Sequence, residues 1–482
     1  MLGRYPVLPP TENEFTDPPS KEQYDVIAVG GGGGGYHGAF ELSKGGKSVL
    51  LIDDKGNLGG NCLYEGCIPS KSVAITIYLM EKVKNILKGS VSSTNLASLW
   101  SDALDHKDEV QTIRYYQHIR EIKEHNNVDF VRGIAKFIDD HTIEVEAIDG
   151  SWKKKVTGKH IIVATGSVPL KIPVPGADLT IGSLELFGYK TSYRKLPDNI
   201  VVIGGGYIGV EVAEMLSSIG KNVTILEMLP RIMSGWDSEL VSEIERTLKN
   251  RNVKVFTNSK VTNIKMNGSQ KEVNYVTPDG TTHSIVADEV IMATGRKPYV
   301  EGLEGLGIVT KGHVEVNTTM RTAKPNIYAA GDVIGKYMLY HAAVKESVVA
   351  AWNILHGTPI YEINFSTIPA TLFTEPEASY VGITEDEAKA KGIAYTVVKY
   401  PLEDDAYAQI MGVKEGWMKL IIEKESQRII GGSIYGEAAS MIINEIALAI
   451  MSNARVKDIA LLAHQHPTIF ESIDRAAIRF SL

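Results

Sequence analysis

Residues 24–53, YDVIAVGGGGGGYHGAFELSKGGKSVLLID, contain the pattern that decides the fold. An apolar run is followed by six glycines, then by a segment with one apolar face, then by a second apolar run that ends on Asp53. This order predicts a strand, a glycine turn, a helix and a second strand. Gly30, Gly32 and Gly35 fit the pattern GxGxxG, in which the first glycine permits a tight turn, the second lets a pyrophosphate approach and the third packs helix on strand. Alone this pattern is a weak signal, and a flexible glycine turn is the alternative.

A second copy of the pattern begins at residue 201. Gly204, Gly206 and Gly209 follow an apolar run and open a segment of helical periodicity, and Glu227 ends the next apolar run. The first glycine precedes the acid by 23 residues in both copies. An acid at this position can accept hydrogen bonds from ribose hydroxyls.

The repeat extends to two further apolar runs, IIVATG at residues 161–166 and VIMATG at residues 290–295, which end on Gly166 and Gly295. The sequence therefore predicts an α/β protein with two Rossmann-like dinucleotide-binding domains. The first glycine precedes the alanine of this second motif by 134 residues in the first copy and by 89 in the second. The first copy therefore contains an insertion.

Both cysteines of the chain, Cys62 and Cys67, lie in that insertion, within GGNCLYEGCIPSK at residues 59–71. On a straight helix their Cα atoms would be roughly 8.5 Å apart, whereas a disulfide permits about 7 Å, so a bonded pair requires a bend at Cys62. Neighbouring glycines permit the bend, and Pro69 fits the first turn of a helix that starts near Cys67, where the helix dipole favours thiolate. Two unrelated buried cysteines are the alternative, but the closeness of the two favours a redox pair. No metal site is predicted, because no further ligands stand at metal-binding spacing.

Composition favours small-molecule or protein ligands. The chain has 482 residues, of which 44% are hydrophobic and 22% charged, with a formal net charge of −8, as expected for a multidomain globular protein. Without a basic tract or a run of 18 apolar residues, we expect neither a nucleic-acid partner nor a membrane. Residues 1–20 resemble neither a signal nor a transit peptide, so we expect an N-terminal extension and a cytoplasmic location.

The remaining segments predict helices, strands and a further domain. The insertion predicts helices at 72–88 and about 106–125, a serine-rich loop at 89–94 and a strand at 128–132. The run NIYAAGDV ends a short strand near Asp332, where a surface turn and a cofactor contact are equally reasonable. From about residue 361 the pattern predicts a separate α+β domain with strands at 368–373, 395–400, 418–422 and 429–435, a capping box at 384–387 and a helix at 437–453. His464, His466 and Glu471 lie close together, and from the residues alone a chance surface pair of histidines is favoured over a catalytic base.

Five separated motifs occur in the order found in the flavoprotein disulfide reductases: GGNCLYEGCIPSK, GGGYIGVE, ATGRKP, YAAGDV and the terminal HPTIFE. The chain resembles that family from about residue 21 to residue 482. The resemblance implies an FAD-binding domain with a redox disulfide at 21–167, an NAD-binding domain at 168–298, a segment completing the FAD domain at 299–360 and a C-terminal α+β dimerisation domain at 361–482.

The same resemblance implies roles for individual residues. Cys67 would be the thiol next to the flavin, Cys62 the thiol that exchanges with substrate, and His466 of the partner subunit the base, oriented by Glu471. The implied cofactor residues are Asp53 at the adenosine ribose, Lys71 and Asp332 at the flavin and ribitol, Glu211 as the partner of Lys71, Tyr207 over the nicotinamide site, Glu227 at the NAD ribose, and Gly30, Gly32, Gly35, Ala135, Gly166, Tyr340, Gly204, Gly206, Gly209, Val261 and Gly295.

The expected reaction is the oxidation of dihydrolipoyl groups with NAD, because the chain is most similar to the family members that perform it. Glu227 favours NAD over NADP, since a carboxylate binds the 2′-hydroxyl and repels a 2′-phosphate. We expect a homodimer, and as partner a lipoyl group on a lipoylated acyltransferase or carrier protein of a 2-oxo acid dehydrogenase complex or glycine cleavage system. An NADH-dependent reductase of another small disulfide, and a flavin-bearing structural or regulatory subunit, are the alternatives.

Some residues depart from the common pattern of the family. Asn61 stands where Thr is usual, Tyr64 and Glu65 where Asn and Val are usual, and Tyr299 where Asn often follows the ATGRxP motif. Glu65 adds a charge near the cysteines, which leaves the redox potential and the substrate preference open.

Overall fold

The computed structural model of the chain describes residues 14–87 and 96–481. The predicted loop at 89–94 and residues 1–13 of the predicted extension lie outside the described residues. Residues 14–20 pack on the first sheet, where the rings of Phe15 and Phe130 lie 5.0 Å apart.

The first sheet is the parallel core of a nucleotide-binding domain. Five strands pair in parallel in the order β3-β2-β1-β5-β17, and β4 pairs antiparallel with the far ends of β3 and β5. The strands are β1 (Gln23–Val29), β2 (Val49–Asp53), β3 (Val128–Phe137), β4 (Thr142–Ala147), β5 (Lys153–Val163) and β17 (Ile327–Ala329). Helices α1 (Gly33–Lys44) and α8 (Tyr340–His356) pack against each other.

The insertion between β2 and β3 forms three helices, α2 (Gly60–Tyr64), α3 (Cys67–Ile86) and α4 (Leu96–Glu124). The prediction of a helix that starts near Cys67 is confirmed. The predicted start of the next helix, near residue 106, is wrong: α4 begins ten residues earlier, and Leu99, Trp100 and Ala103 at its start are buried in a core shared with α3. The strand predicted at 128–132 continues to Phe137, because its second half pairs with β4.

The second nucleotide-binding sheet is parallel, in the order β13-β7-β8-β9. Its strands and helices are β7 (Asn199–Ile203), β8 (Asn222–Leu226), β9 (Lys254–Phe256), β13 (Glu289–Met292), α6 (Tyr207–Ser218) and α7 (Ser238–Asn250). An antiparallel sheet that the sequence pattern does not predict precedes β13 and consists of β10 (Lys260–Asn267), β11 (Gln270–Val276) and β12 (Thr282–Ala287).

A two-stranded antiparallel ribbon connects the two nucleotide-binding sheets. It consists of β6 (Ser167–Pro169), which follows β5, and β14 (Arg296–Pro298), which follows β13. The chain thus passes through this ribbon both on entering and on leaving the second domain. The short helix α5 (Ser183–Phe187) and the hairpin of β15 (Val309–Thr310) and β16 (His313–Val314) complete this region.

The C-terminal domain is an antiparallel sheet in the order β18-β19-β22-β21-β20, with helices packed on it. Its elements are β18 (Ala370–Leu372), β19 (Glu377–Gly382), α9 (Glu385–Ala390), β20 (Tyr395–Pro401), α10 (Ala406–Ile410), β21 (Trp417–Glu423), β22 (Ile429–Gly436), α11 (Ala439–Met451), α12 (Val456–Ala460) and α13 (Glu471–Ser481). The predicted capping box is confirmed, since the Thr384 and Glu387 side chains reciprocally bind each other's backbone N–H groups. No helix in the described ranges is long and apolar enough to cross a bilayer.

Candidate functional site

The two glycine turns have the same backbone geometry. Gly30 has a φ of 113° and Gly204 a φ of 110°, a region that side chains disfavour. A Cβ at Gly30 would lie 2.1 Å from the carbonyl oxygen of Ala164, and one at Gly204 would lie 2.3 Å from that of Ala293. The first glycine of each motif is therefore required both by its conformation and by the close approach of the ATG strand.

The third glycine of each motif packs the helix on the strand, as predicted. A Cβ at Gly35 or Gly209 would lie 1.9 Å from the carbonyl oxygen of the first glycine of its own turn. Helices α1 and α6 begin after Gly32 and Gly206, neither of which provides a side-chain cap. Because the first-turn N–H groups have no partner within the helix, both N-termini are suited to bind a pyrophosphate.

An acid ends the second strand of each domain and binds its own glycine turn. Asp53 accepts the N–H of Gly31 at 2.7 Å, and Glu227 accepts the N–H of Gly205 at 2.6 Å. Burial raises the pKa of Asp53 to about 6. Each carboxylate is thus held at the turn, with lone pairs left for ribose hydroxyls.

One cavity of about 2450 Å³ brings the two glycine turns and the cysteines together. Its wall contains most of the predicted site residues, namely Gly30, Gly32, Asp53, Cys62, Cys67, Lys71, Ala135, Gly166, Gly204, Gly206, Tyr207, Glu211, Glu227, Val261, Gly295, Asp332 and Tyr340. Gly35 and Gly209 lie beneath the turns, and His466 and Glu471 do not line the cavity. The uncapped helix N-termini and the paired acids fit one dinucleotide at each turn.

The two cysteines are free thiols that interact directly with each other. Cys62 lies in the short helix α2, Gly59 before it has a φ of 107°, and Cys67 is the first residue of α3. A hydrogen bond from the Cys62 thiol, together with the positive charge of Lys71, lowers the pKa of Cys67. The same hydrogen bond and burial raise the pKa of Cys62. The two effects favour the thiolate form at Cys67 and the thiol form at Cys62.

The predicted ion pair of Lys71 and Glu211 is present at the wall of the cavity. Lys71 Nζ lies 2.6 Å from Glu211 Oε2 and 4.8 Å from the centroid of the Phe373 ring. The other carboxylate oxygen of Glu211 accepts the N–H of Phe373 at 2.9 Å. This pair joins α3, which carries Cys67, to the second nucleotide-binding domain and to the C-terminal domain.

Tyrosines stand on two sides of the cavity. The hydroxyl of Tyr207 accepts the indole N–H of Trp236 at 3.1 Å, and burial raises the pKa of Tyr207. The hydroxyls of Tyr340 and Tyr36 lie 2.7 Å apart, and burial, together with the neighbouring Tyr36, raises the pKa of Tyr340, on which Cys62 also acts. Tyr36 thus joins the group near Cys62, although the sequence pattern does not single it out.

His466 is oriented by Glu471, as predicted. Its Nδ1 lies 2.8 Å from Glu471 Oε2, while 69% of the imidazole is exposed, which leaves Nε2 open to a ligand. His466 does not line the cavity that contains the cysteines of its own chain. His464 binds Glu445 at 2.8 Å and is structural.

A second histidine–carboxylate pair lies at the wall of the cavity itself. His118 Nδ1 lies 2.9 Å from Glu121 Oε2, and its Nε2 lies 3.3 Å from a guanidinium nitrogen of Arg114. Burial lowers the pKa of His118. Both nitrogens of its ring are engaged by neighbouring side chains, Nδ1 by Glu121 and Nε2 by Arg114.

The sequence pattern also misses Ser167 and Arg296, two residues of the ribbon that contact Asn61 and Glu65 in the segment that carries the cysteines. Ser167 donates its hydroxyl to Asp332 Oδ2 at 2.5 Å and accepts the Nε–H of Arg296 at 2.8 Å. Arg296 belongs to the ATGRKP motif, which is the available signal for it. In the described ranges, no group of three His, Cys, Asp or Glu side chains is arranged to hold a metal ion.

Comparison with known proteins gives consistent matches along the chain. Residues 24–347 match the model of the pyridine nucleotide-disulphide oxidoreductases, and residues 368–477 match their dimerisation domain, which supports a homodimer. A mitochondrial dihydrolipoyl dehydrogenase of Dictyostelium discoideum is 33% identical over 95% of this chain and 94% of its own length. A dihydrolipoyl dehydrogenase of Geobacillus stearothermophilus is 34% identical over 94% of this chain and 95% of its own length.

Solved structures have the same fold. The HOCl-induced flavoprotein disulfide reductase RclA of Escherichia coli, in a Cu(II) complex, superposes with a TM-score of 0.82 at 25% identity over 95% of this chain and all of its own. LpdA of Mycobacterium tuberculosis superposes with a TM-score of 0.84 at 24% identity, over 95% of this chain and all of its own. Since the family models together span both nucleotide-binding domains and the C-terminal domain, this chain belongs to the pyridine nucleotide-disulphide oxidoreductase family.

Proposed function

We propose that the protein is a dihydrolipoyl dehydrogenase, which oxidises dihydrolipoyl groups with NAD as acceptor. The observation that carries the proposal is the single cavity in which Cys62, Cys67 and both glycine turns meet. Relatives at 33% and 34% identity over nearly the whole chain bear that name. The family uses FAD and NAD, and the geometry of both glycine turns fits them.

The two cysteines exchange thiols with the substrate. A substrate thiolate attacks the sulfur of Cys62 in the Cys62–Cys67 disulfide, and Cys67 leaves as thiolate. The second substrate thiol then attacks the sulfur bound to Cys62, which releases the lipoyl disulfide and the Cys62 thiol. The lowered pKa of Cys67 suits it to be the leaving group, because thiols of lower pKa leave faster.

Two protons are released from the substrate thiols, and a base is needed near Cys62. We assign it to His466 of the partner subunit, whose Nδ1–H is directed at Glu471 so that Nε2 is the accepting atom. Glu471 stabilises the imidazolium that forms. His118 does not compete for this role, since its Nε2 faces Arg114.

The remaining residues hold the cofactors and direct electrons from Cys67. We propose that the first turn, Asp53 and Asp332 hold FAD, and that the second turn, Tyr207 and Glu227 hold NAD. When bound, FAD supplies the two-electron carrier between the thiols and NAD. The Lys71 ammonium, held by Glu211 at 2.6 Å, stabilises negative charge at Cys67 and at the flavin side of the cavity.

The domain limits at 21–167, 168–298, 299–360 and 361–482 remain part of the proposal. They are supported by the ribbon of β6 and β14, which the chain traverses at residues 167–169 and 296–298. The proposed partner is a lipoyl group on an acyltransferase or carrier protein of a 2-oxo acid dehydrogenase complex or glycine cleavage system. We propose the cytoplasm as compartment because the chain has no structural disulfide framework, and cell fractionation tests it.

One observation favours a second candidate, an NADH-dependent reductase of a charged small disulfide. Arg114 lines the cavity, its charge acts on Tyr340 beside Cys62, and no carboxylate of the described residues forms an ion pair with it. A cation there suits an anionic substrate better than a neutral lipoyl amide. A purely structural subunit is disfavoured, because the thiol pair and the His466–Glu471 pair are both intact.

A substrate panel tests the proposal. Purified protein is assayed with NAD and dihydrolipoamide, and separately with NADH or NADPH and oxidised glutathione or related disulfides. The proposal requires dihydrolipoamide with NAD to give the highest kcat/KM. If NADH with a charged disulfide gives a higher kcat/KM, the second candidate function replaces the proposal.

A further inference from the structure

Two residues that depart from the family pattern, Asn61 and Glu65, bind the same place on the ribbon of β6 and β14. Asn61 Nδ2 donates to the carbonyl oxygen of Ser167 at 2.8 Å. Glu65 Oε1 lies 3.0 Å from Arg296 Nη2, which also donates to the Ser167 carbonyl at 3.0 Å. Asn61 lies in α2 and Glu65 is the residue that ends this helix, so side chains from the beginning and from the end of α2 are both joined to the ribbon.

The ion pair is enclosed and lies at the wall of the cavity that contains the redox cysteines. The side chains of Glu65 and Arg296 are 10% and 16% exposed, so solvent ions screen them little. Both line the cavity that contains Cys67, and Glu65 precedes Cys67 by only two residues. From Arg296 the network continues through the Ser167 hydroxyl to Asp332.

We propose that Glu65 neutralises Arg296 at the wall of the cavity that holds the redox cysteines, so that the pair fixes the end of α2 on the ribbon and adds no net charge of its own at the Cys67 thiolate. Glu65 and Arg296 are thus positioning and charge-balancing residues, not catalytic ones. The groups that act most strongly on the pKa of Cys67 include Cys62 of α2, Lys71 of α3 and Glu211 of α6, and none of these three belongs to the network.

If the ion pair acts through its charge, removing Glu65 and removing Arg296 should shift the pKa of Cys67 in opposite directions. Glu65→Gln preserves shape and leaves the Arg296 cation unbalanced, which stabilises the thiolate of Cys67. Arg296→Gln leaves the Glu65 carboxylate unbalanced, which destabilises the thiolate. If the network had only a packing role, the acid dissociation constant of Cys67 would change in the same direction in both variants.

The experiment measures the acid dissociation constant of Cys67 in the FAD-bound protein. Each variant is made in a Cys62→Ser background, and the long-wavelength absorbance of the Cys67 thiolate beside the flavin is followed against pH. We expect the dissociation constant to rise about tenfold in Glu65→Gln, to fall about tenfold in Arg296→Gln, and to return to within about threefold of the background in the double variant, one pKa unit being a tenfold change.

Two controls separate charge from shape. Glu65→Asp keeps the charge on a shorter side chain and should stay within about threefold of the background, whereas a packing role makes Asp worse than the isosteric Gln. Lys297→Gln removes an exposed cation next to Arg296 on the same strand and should change the constant less than about twofold. If Arg296→Gln does not retain FAD, the comparison of Glu65→Gln with Glu65→Asp is enough to distinguish a charge effect from a packing effect.

Three results would each overturn the proposal. The dissociation constant of Cys67 is unchanged in Glu65→Gln, or it changes more in Glu65→Asp than in Glu65→Gln, or it shifts in the same direction in Glu65→Gln and Arg296→Gln. The readout requires bound FAD but no thiol substrate. A failure of this proposal is therefore distinguishable from a failure of the proposed function, because only the substrate panel tests the proposed function.

Discussion

Replacement of Glu227 by Gln tests how the second domain distinguishes NADH from NADPH. Glu227 uses one oxygen for the N–H of Gly205 at 2.6 Å and the other for the N–H of Leu229 at 2.7 Å, and each oxygen retains a lone pair for the ribose. A hydrogen bond to a charged group contributes about 1.5–3 kcal/mol, which corresponds to roughly 10- to 150-fold in affinity for NADH. The variant also loses the charge that repels a 2′-phosphate. We therefore expect the NADH to NADPH ratio of kcat/KM to fall by about 10- to 100-fold.

The assay measures reduction of a disulfide substrate with either nucleotide, for the parent and for Glu227→Gln. Gln is preferable to Ala because it leaves an acceptor for one of the two N–H groups of the turn. Asp53→Asn is a matched control, since it makes the equivalent change in the first domain and should weaken FAD retention without altering the nucleotide ratio. Equal use of NADH and NADPH by the parent, or an unchanged ratio in Glu227→Gln, would refute the assignment.

Three further predictions concern the two thiols, Asp53 of the first domain and the His466–Glu471 pair of the C-terminal domain. Cys62→Ser should show the long-wavelength absorbance of the Cys67 thiolate and Cys67→Ser should lack it; absorbance spectra with the opposite assignment would reverse the roles. FAD binding should strengthen as pH rises toward about 6, by up to about tenfold per unit, and should level off above 6, because burial raises the pKa of Asp53 to about 6 and the ribose hydroxyls favour its ionised form; fluorescence titration should find this dependence flattened in Asp53→Asn. Glu471→Gln should lower kcat by about tenfold or more, because the carboxylate that orients the His466 imidazole is lost; an unaltered kcat would leave Glu471 a structural residue.

Local spacing explains why the sequence predicts the two nucleotide-binding turns. The positive φ of Gly30 and Gly204, and the approach of Gly35 and Gly209 to the first glycine of their own turn, are constraints that act within one strand-turn-helix unit. The ATG strand that meets each first glycine is distant in sequence, but its motif repeats in both copies. The cysteine geometry was equally local, since Pro69 limits where α3 can start.

Contacts between distant segments could not be predicted in the same way. The Asn61 and Glu65 network depends on residues 106 and more positions away, which nothing near α2 specifies. The start of α4 was placed too late because its apolar residues, Leu99 and Trp100 among them, meet partners on other elements. For His466 the sequence supplied only a short motif, and its exclusion from the cavity of its own chain is visible only in the folded structure.

The central claim is that the thiol pair of one chain works with the His466–Glu471 pair of another, and subunit mixing tests it most directly. Cys62→Ser and His466→Ala, each inactive alone toward dihydrolipoamide, are unfolded or dissociated together, reassembled at equal amounts and assayed with NAD. If half of the dimers are heterodimers with one intact site of two, about a quarter of the parent activity should return. No recovery, with heterodimers confirmed by mass, would contradict the account, because His466 would then act within its own chain or not as the base.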